Sequence, residues 1–250
     1  MSVFFSDLDN TLIYSHHRRI EGPKIVAEHL DGKEQGFITR FTYEYLVGAD
    51  WLDIVPVTTR TDLQFKRIEI AGALRVKYAI LCNGGKLLID YKEDKDWSEE
   101  TYFLIKDHIG SIEEASRILG RICKGETVHT PENYMCYAKS DNPEIVKEIL
   151  ERELNLNEVN VQIDHRKVYI FANGVTKGEA VKRFKNRFGQ VNVIAAGDSS
   201  MDVSMLNEAD YAFAGKGIDM FVKKHIPIED GIFSDEICRG INQLHTKGII

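Results

Sequence analysis

Cysteine is sparse in this 250-residue chain, and its arrangement excludes two common uses of the residue. No two cysteines form a C-x-x-C pair, and their spacing matches no zinc site, which indicates a reduced compartment. The four are Cys82, Cys123, Cys136 and Cys238. The chain also lacks an apolar run of about 20 residues, the length of a membrane span. Its first ten residues, MSVFFSDLDN, have no basic region and are not typical of a signal peptide. We therefore expect a soluble, cytoplasmic protein with no membrane partner.

An excess of positive charge is missing as well. Lys and Arg number 32 against 39 Asp and Glu, so the formal net charge is −7 and no nucleic-acid partner is expected. Internal repeats and low-complexity linkers are also absent. Hydrophobic residues make up 43% of the chain, which is enough to bury the core of one large domain or of a core with an inserted domain.

Short apolar runs, each followed by polar or glycine-containing sequence, predict buried strands at residues 3–5, 53–57, 78–82 and from Val191 to Ala196. Helical periodicity lies between these runs. At residues 177–188 it places Ala180, Val181, Phe184 and Phe188 on one stripe. Strands that alternate with helices predict an α/β fold with a doubly wound parallel sheet.

The middle of the chain does not alternate in this way. Its pattern predicts a strand at 86–89, two helices within 97–124, strands near 126–129 and 134–139, a helix at 143–154, and a hairpin of strands 159–163 and 168–171. This order is typical of an α+β unit. We therefore predict a core formed by residues 1–85 and 173–250, with an inserted α+β cap at 86–172. Residues 14–38 show weak periodicity and are expected to form a long excursion after the first strand.

Chemically reactive side chains follow several of the predicted strands, where functional groups of open α/β sheets gather. The first strand leads into Asp7-Leu8-Asp9-Asn10-Thr11, the second into Thr58, and the last into Gly197-Asp198 with Asp202 four residues later. Lys177 stands at a helix start, where an ammonium opposes the macrodipole and favours a nearby anion. Phosphate monoesters need a nucleophile, neutralisation of charge and protonation of the leaving group, and carboxylates suit Mg²⁺. The plain alternatives are turn or capping acids, a strand-end threonine and a solvated lysine.

In this order the motifs D-x-D-x-T, Thr, Lys and G-D-x-x-x-D resemble those of haloacid dehalogenase (HAD) superfamily phosphatases. The long interval between Thr58 and Lys177 is similar to the type-two cap of the Cof-like and sucrose-phosphatase-like branch. The resemblance spans the whole chain. It implies that Asp7 is the nucleophile that forms an aspartyl phosphate and that Asp9 is the general acid and base. It also implies that Thr58 and Lys177 bind phosphoryl oxygens, and that Mg²⁺ is held by Asp7, the Asp9 carbonyl and Asp198, with Asp202 supporting it directly or through water.

Further residues are weaker candidates for substrate binding. Asn83 stands in Asn83-Gly84, where a plain turn is the alternative. Arg60 matches an arginine that often follows the second motif, with a surface ion pair as the alternative. Thr59, between Thr58 and Arg60, occupies a position where many relatives have Gly. Met201 departs similarly from the usual Asn, which affects the surroundings of the metal.

The resemblance favours a phosphatase for a small metabolite, such as a sugar or polyol phosphate, whose cap selects the substrate through residues such as His165 and Arg166. A phosphomutase is the first alternative, but it needs a cap rich in arginine to hold a bisphosphate. This cap has few: Arg117, Arg121, Arg152 and Arg166. The second alternative, a silent binding protein, is disfavoured because all the motif residues are intact.

Overall fold

The computed structural model describes residues 2–189 and 192–250 of the chain. Its strands are β1 (Ser2–Ser6), β2 (Tyr14–Ser15), β3 (Lys24–Leu30), β4 (Lys33–Thr39), β5 (Leu52–Pro56), β6 (Tyr78–Leu81), β7 (Lys86–Ile89), β8 (Lys92–Glu93), β9 (His129–Glu132), β10 (Met135–Lys139), β11 (Val159–Asp164), β12 (Lys167–Ala172), β13 (Asn192–Gly197) and β14 (Tyr211–Ala214). Its helices are α1 (Arg40–Gly48), α2 (Asp62–Phe65), α3 (Lys95–Ile105), α4 (Ile109–Ile122), α5 (Pro143–Glu153), α6 (Lys177–Phe188), α7 (Val203–Leu206) and α8 (Phe233–Thr246).

The chain divides into two compact units. The first runs up to Asp94 and resumes at Lys177, and the second is Lys95–Thr176. The sequence placed these boundaries at 86 and 172. The difference at the first boundary arises because β7 pairs antiparallel with β6 and then with β8, which keeps residues 86–93 in the first unit.

A parallel sheet in the order β14-β13-β1-β5 forms the centre of the first unit. Every residue of β1 is buried, as expected for a strand that is covered on both faces. Phe184 of α6 packs edge-on against Phe5 of β1, with ring centroids 5.3 Å apart. The predicted α/β fold with a parallel sheet is confirmed. Val191, the expected first residue of the last predicted strand, lies outside the described residues.

The strand predicted at 78–82 differs from expectation in its main pairing. It is β6, and it belongs to the antiparallel sheet β6-β7-β8. One parallel bridge, Val57 to Ile80, joins it to the chain that leaves β5, and the Thr58 N–H donates to the Ile80 carbonyl at 3.0 Å.

Residues 14–39 contain an antiparallel sheet in the order β2-β4-β3, where only a long excursion after the first strand was expected. The β3–β4 hairpin turns at Asp31-Gly32, where both residues have positive φ, 52° and 73°. Asp-Gly is a preferred pair for such a two-residue turn. The signal for this hairpin was therefore present in the sequence.

The second unit contains an antiparallel sheet in the order β11-β12-β10-β9, with α4 and α5 packed against it. The predicted α+β character and the 159–171 hairpin are present. The strand expected near 126–129 is instead β9 at His129–Glu132, because its register with β10 pairs His129 with Tyr137 and Glu132 with Met135. No helix in residues 2–189 or 192–250 combines the length and apolar character needed to cross a membrane.

Candidate active site

The candidate site lies at the carboxyl ends of the central strands. Asp7 directly follows β1, and its N–H donates to the Ala196 carbonyl of β13 at 2.9 Å. Asp198 follows β13 in turn. Because neighbouring parallel strands end at the same edge of a sheet, the two aspartates from distant parts of the sequence are brought together.

Lys177 is the centre of the buried charge network. Its ammonium donates to Asp7 Oδ1 and to Asp202 Oδ1, both at 2.6 Å, and its side chain is 1% exposed. Burial opposes the charge on Lys177, but the two carboxylates outweigh this effect and raise its pKa above the ordinary value. The alternative of a solvated lysine at the start of α6 does not hold.

Asp202 shapes the loop that carries Asp198. While Oδ1 faces Lys177, Oδ2 accepts the N–H groups of Asp198 and Ser199 at 3.1 and 2.9 Å and the Ser199 hydroxyl at 2.8 Å. A side chain at Gly197 would place its Cβ 2.3 Å from the Asp202 Cβ. Glycine before Asp198 is therefore required for this carboxylate to fold back on the loop.

Thr11, the last residue of the first motif, also contacts the site. It is fully buried, and its hydroxyl donates to Asp198 Oδ1 at 3.1 Å. The tight turn after Asp7 presents it, since the Leu8 carbonyl accepts the N–H groups of Thr11, Leu12 and Ile13. No role was predicted for Thr11 from the sequence, although its position in the motif was the available signal.

Carboxylate oxygens of Asp7, Asp198 and Asp202 lie within 4.8 Å of one another. Burial raises the pKa of Asp7, Lys177 lowers it, and the nearby carboxylates of Asp202, Asp9 and Asp198 raise it further, so that the net pKa is well above the ordinary value. Several carboxylates thus face one ammonium. A divalent cation would compensate this charge, and an all-oxygen donor set fits Mg²⁺.

Asp9 has different surroundings. Its side chain is 51% exposed, and Arg60 binds it in bidentate fashion, from Nε to Oδ2 at 2.9 Å and from Nη2 to Oδ1 at 2.8 Å. Arg60 Nη1 donates to Glu28 at 2.8 Å. All three nitrogens of the guanidinium thus face protein carboxylates, which favours the ion-pair alternative for Arg60 over a substrate ligand.

Thr58 and Asn83 belong to one backbone arrangement. The Thr58 side chain is fully buried, its hydroxyl accepts the Arg60 N–H at 3.2 Å, and its carbonyl accepts the Asn83 N–H at 2.9 Å. Asn83 is buried with φ 61°, so it also serves as the turn residue that the sequence allowed. Thr59, the residue between Thr58 and Arg60, is partly exposed.

Comparison with known proteins agrees with this arrangement. Residues 124–225 match the haloacid dehalogenase-like hydrolase family model, a range that includes Lys177, Asp198 and Asp202. No curated protein matches the chain.

Solved structures share the fold over nearly the whole length. The sucrose-phosphatase from Synechocystis sp. is 12% identical, with a TM-score of 0.65 and 97% of both chains covered. A sugar phosphatase of HAD subclass IIB is 15% identical, with a TM-score of 0.62 and full coverage of both chains. A trehalose-6-phosphate phosphatase related protein is 17% identical, with a TM-score of 0.56, and 98% of this chain and 99% of that chain are covered. The family match over residues 124–225 and the shared fold agree with the resemblance predicted from the motifs.

Proposed function

We propose that this HAD-like chain is a Mg²⁺-dependent phosphatase that hydrolyses a small phosphorylated metabolite, with a sugar or polyol phosphate as the substrate class. One observation carries the proposal. A buried carboxylate, Asp7, lies against a buried ammonium, Lys177, and beside a second carboxylate, Asp198, at the carboxyl edge of a parallel sheet. Such a site presents a nucleophile and compensates negative charge at the same point, which is what phosphoryl transfer requires.

The reaction proceeds through Asp7. Its carboxylate oxygen attacks phosphorus, the bond from phosphorus to the ester oxygen breaks, and the leaving oxygen takes a proton from Asp9. Water then attacks the aspartyl phosphate and gives a proton to Asp9. The bond between phosphorus and the Asp7 oxygen breaks, which releases inorganic phosphate and restores Asp7.

The other polar groups hold the phosphoryl group and the nucleophile. Lys177 orients Asp7 and neutralises charge on the phosphoryl oxygens, while Asp202 holds Lys177 in place. Thr58 is assigned to a phosphoryl oxygen, and Thr59 and Asn83 to the adjoining substrate atoms. Mg²⁺, held by Asp7, the Asp9 carbonyl and Asp198, would supply further charge compensation. Asp202 would support it indirectly, since both Asp202 oxygens already accept hydrogen bonds.

The second unit supports the proposed substrate class. The face of its sheet opposite α4 carries stacked aromatic rings: His129 and Tyr137 are 4.7 Å apart between centroids, and Tyr137 and Tyr169 are 4.9 Å apart. Lys167 lies within 6 Å of both tyrosine rings. Flat rings edged by a cation suit the apolar face and the hydroxyls of a sugar. The names of the structurally similar sucrose-phosphatase and sugar phosphatase agree with this choice.

Phosphomutase activity has less support. Three of the four cap arginines lie on helices that pack on the other side of this sheet, Arg117 and Arg121 on α4 and Arg152 on α5. The fourth, Arg166, binds Asp141 at 2.6 Å. The aromatic face is thus poor in the guanidinium groups that would hold the second phosphate of a bisphosphate.

Phosphate release from a panel of sugar, polyol and other small metabolite phosphates tests the proposal. With Mg²⁺ present we expect turnover of at least one sugar or polyol phosphate. Isomerised sugar phosphate would identify a mutase. If no compound of the panel is hydrolysed or isomerised, the result would favour the alternative of a binding protein without turnover.

The metal requirement is tested on the same substrate. EDTA should abolish phosphate release, added Mg²⁺ should restore it, and Ca²⁺ should support less than about a tenth of the rate. Calcium takes more ligands at longer distances than Mg²⁺, which disturbs in-line alignment. Full activity in EDTA would contradict the assignment of Asp198 to a metal.

Variants of the second unit test its assigned role in substrate selection. We expect three variants to lower kcat/KM for the sugar phosphate by roughly tenfold, about 1.4 kcal/mol, mainly through a higher KM. They are Tyr137→Ala on the sheet and His165→Ala and Arg166→Ala at the turn of the hairpin. An aryl phosphate that scarcely touches these residues should be turned over normally. Ile145→Ala, an exposed position on α5, serves as the control. A parallel fall of kcat for both substrates would show that the second unit takes part in the chemical step.

A further inference from the structure

Glu28 is a buried carboxylate on the β3–β4 hairpin, and a bulge directs it inward. The register pairs Val26 with Phe37 and then Glu28 with Gly36, so Ala27 is an extra residue in β3. Ala27 and Glu28 are consequently both buried, although adjacent strand residues normally face opposite sides. A side chain at Gly36 would place its Cβ 3.0 Å from Ile13 Cγ2 and 4.0 Å from Glu28 Oε2. The tight contact would therefore be with Ile13, while the Glu28 carboxylate would remain at an ordinary contact distance.

Two arginines compensate the Glu28 charge, one at each oxygen. Arg60 Nη1 donates to Oε2 at 2.8 Å, and Arg67 Nε lies 3.0 Å from Oε1 without hydrogen-bond geometry. A backbone bridge between Glu28 and Ile68 holds the hairpin beside this segment. A buried carboxylate is stable only when it is paired, and the contact with Arg60 is the better aligned of the two. We therefore expect Glu28 to fix the position of the Arg60 guanidinium.

Arg60 passes this constraint on to Asp9. The Arg60 side chain is 12% exposed, whereas the Asp9 side chain is 51% exposed. The bidentate contact from Arg60 sets both the position and the plane of the Asp9 carboxylate. A continuous chain of contacts therefore runs from the hairpin through Glu28 and Arg60 to the proposed general acid and base.

We propose that Glu28 is a positioning residue for proton transfer, which holds Arg60 so that Arg60 orients the Asp9 carboxylate. This inference rests on the proposed phosphatase function and extends it to a hairpin outside the motifs. A proton donor must lie within hydrogen-bond reach of the leaving oxygen, so looser orientation of Asp9 slows the steps that need its proton.

Glu28→Gln tests this because it keeps the shape and removes the charge that holds Arg60. With an alkyl phosphate, kcat should fall about tenfold, a part of the full contribution of an acid catalyst. With an aryl phosphate whose leaving group needs little protonation, the pre-steady-state burst of aryl alcohol should slow by less than about threefold. Arg67→Gln is the matched control, since it removes the other Glu28 contact and leaves Arg60 in place. It should change both rates less than about threefold.

Two further measurements separate positioning from a loss of structure. In an Asp9→Asn background, Glu28→Gln should cause no additional loss, because the residue that it orients is already disabled. Glu28→Asp, which keeps the charge, should restore part of the alkyl phosphate rate. If a thermal unfolding measurement shows that Glu28→Gln is not folded, Arg60→Lys is used in its place. Lysine keeps the positive charge but loses the bidentate contact with Asp9.

Equal losses on both substrates, a full additional loss in the Asp9→Asn background, or faster turnover would each overturn the role of Glu28. An active wild-type enzyme with an unaffected Glu28→Gln variant would overturn this inference alone. A wild-type chain that releases no phosphate from any substrate would overturn the proposed function and this inference together.

Discussion

Asp7→Asn should lower kcat by more than about 10⁴-fold, the scale of loss when a nucleophile is removed from a set of residues that act as a unit. The amide is not a nucleophile towards phosphorus, and it is also a much weaker metal ligand than a carboxylate. Asp7 contacts Lys177 and lies in the three-carboxylate cluster with Asp198 and Asp202. Asp202 shares both features, but its second oxygen already accepts the N–H groups of Asp198 and Ser199. Single-turnover and steady-state phosphate release measure the loss.

The fold should survive this change. Asparagine has the size of aspartate, and its side-chain oxygen can still accept a hydrogen bond from Lys177. Lys177 also retains its hydrogen bond to Asp202. Asp53→Asn is the matched control. It makes the same replacement on β5, the strand that pairs with β1. It should leave kcat within about twofold of wild type, because no step of the mechanism uses Asp53. Acid-quenched wild-type enzyme should carry phosphate on the peptide that contains Asp7, and the variant should carry none. Activity of Asp7→Asn within about tenfold of wild type, only ~1.4 kcal/mol in the barrier, would refute an aspartyl phosphate.

The proximity of Asp7, Lys177 and Asp198 could be predicted from the sequence because these residues are tied to strand ends or to a helix start. Asp7 and Asp198 each directly follow an apolar run, and in a parallel sheet the ends of neighbouring strands must meet. Lys177 was predicted from a helix start, which is also a local signal. These three positions depend on secondary structure and chain order alone.

The Glu28–Arg60 contact depends instead on which segments pair and in what register. A bulge of one residue in β3 decides whether Glu28 faces inward or outward, and nothing local in KIVAEHL sets that register. The same limit explains the first boundary between the two units, since the pairing of β6 with β7 cannot be inferred from either strand alone. For the β3–β4 hairpin, the local signal in the sequence was the turn at Asp31-Gly32.

Asp9→Asn should slow turnover of an alkyl phosphate by about 10²- to 10⁴-fold, the usual range for a general acid and base. An alkoxide is a poor leaving group and needs the proton that Asp9 supplies, whereas an activated aryl oxide leaves without it. The burst of aryl alcohol should therefore slow much less than turnover of the alkyl phosphate. Hydrolysis of the aspartyl phosphate should be slow with both substrates, because water also loses its proton to Asp9.

The structure allows a sharp control for this prediction. Arg60 keeps its Glu28 contact when Asp9 is replaced, so the surrounding network remains anchored and the fold should be unchanged. Asp62→Asn is the matched variant, since Asp62 is a nearby acid that pairs with Lys66, the residue directly after α2. This variant should leave both rates within about twofold. Rates of the aryl alcohol burst and of steady-state phosphate release, measured for both substrates and both variants, separate the two chemical steps. Asp9 is not the general acid if the burst with the aryl phosphate and the turnover of the alkyl phosphate slow by the same factor, because a group that only shapes the site has no reason to distinguish leaving groups.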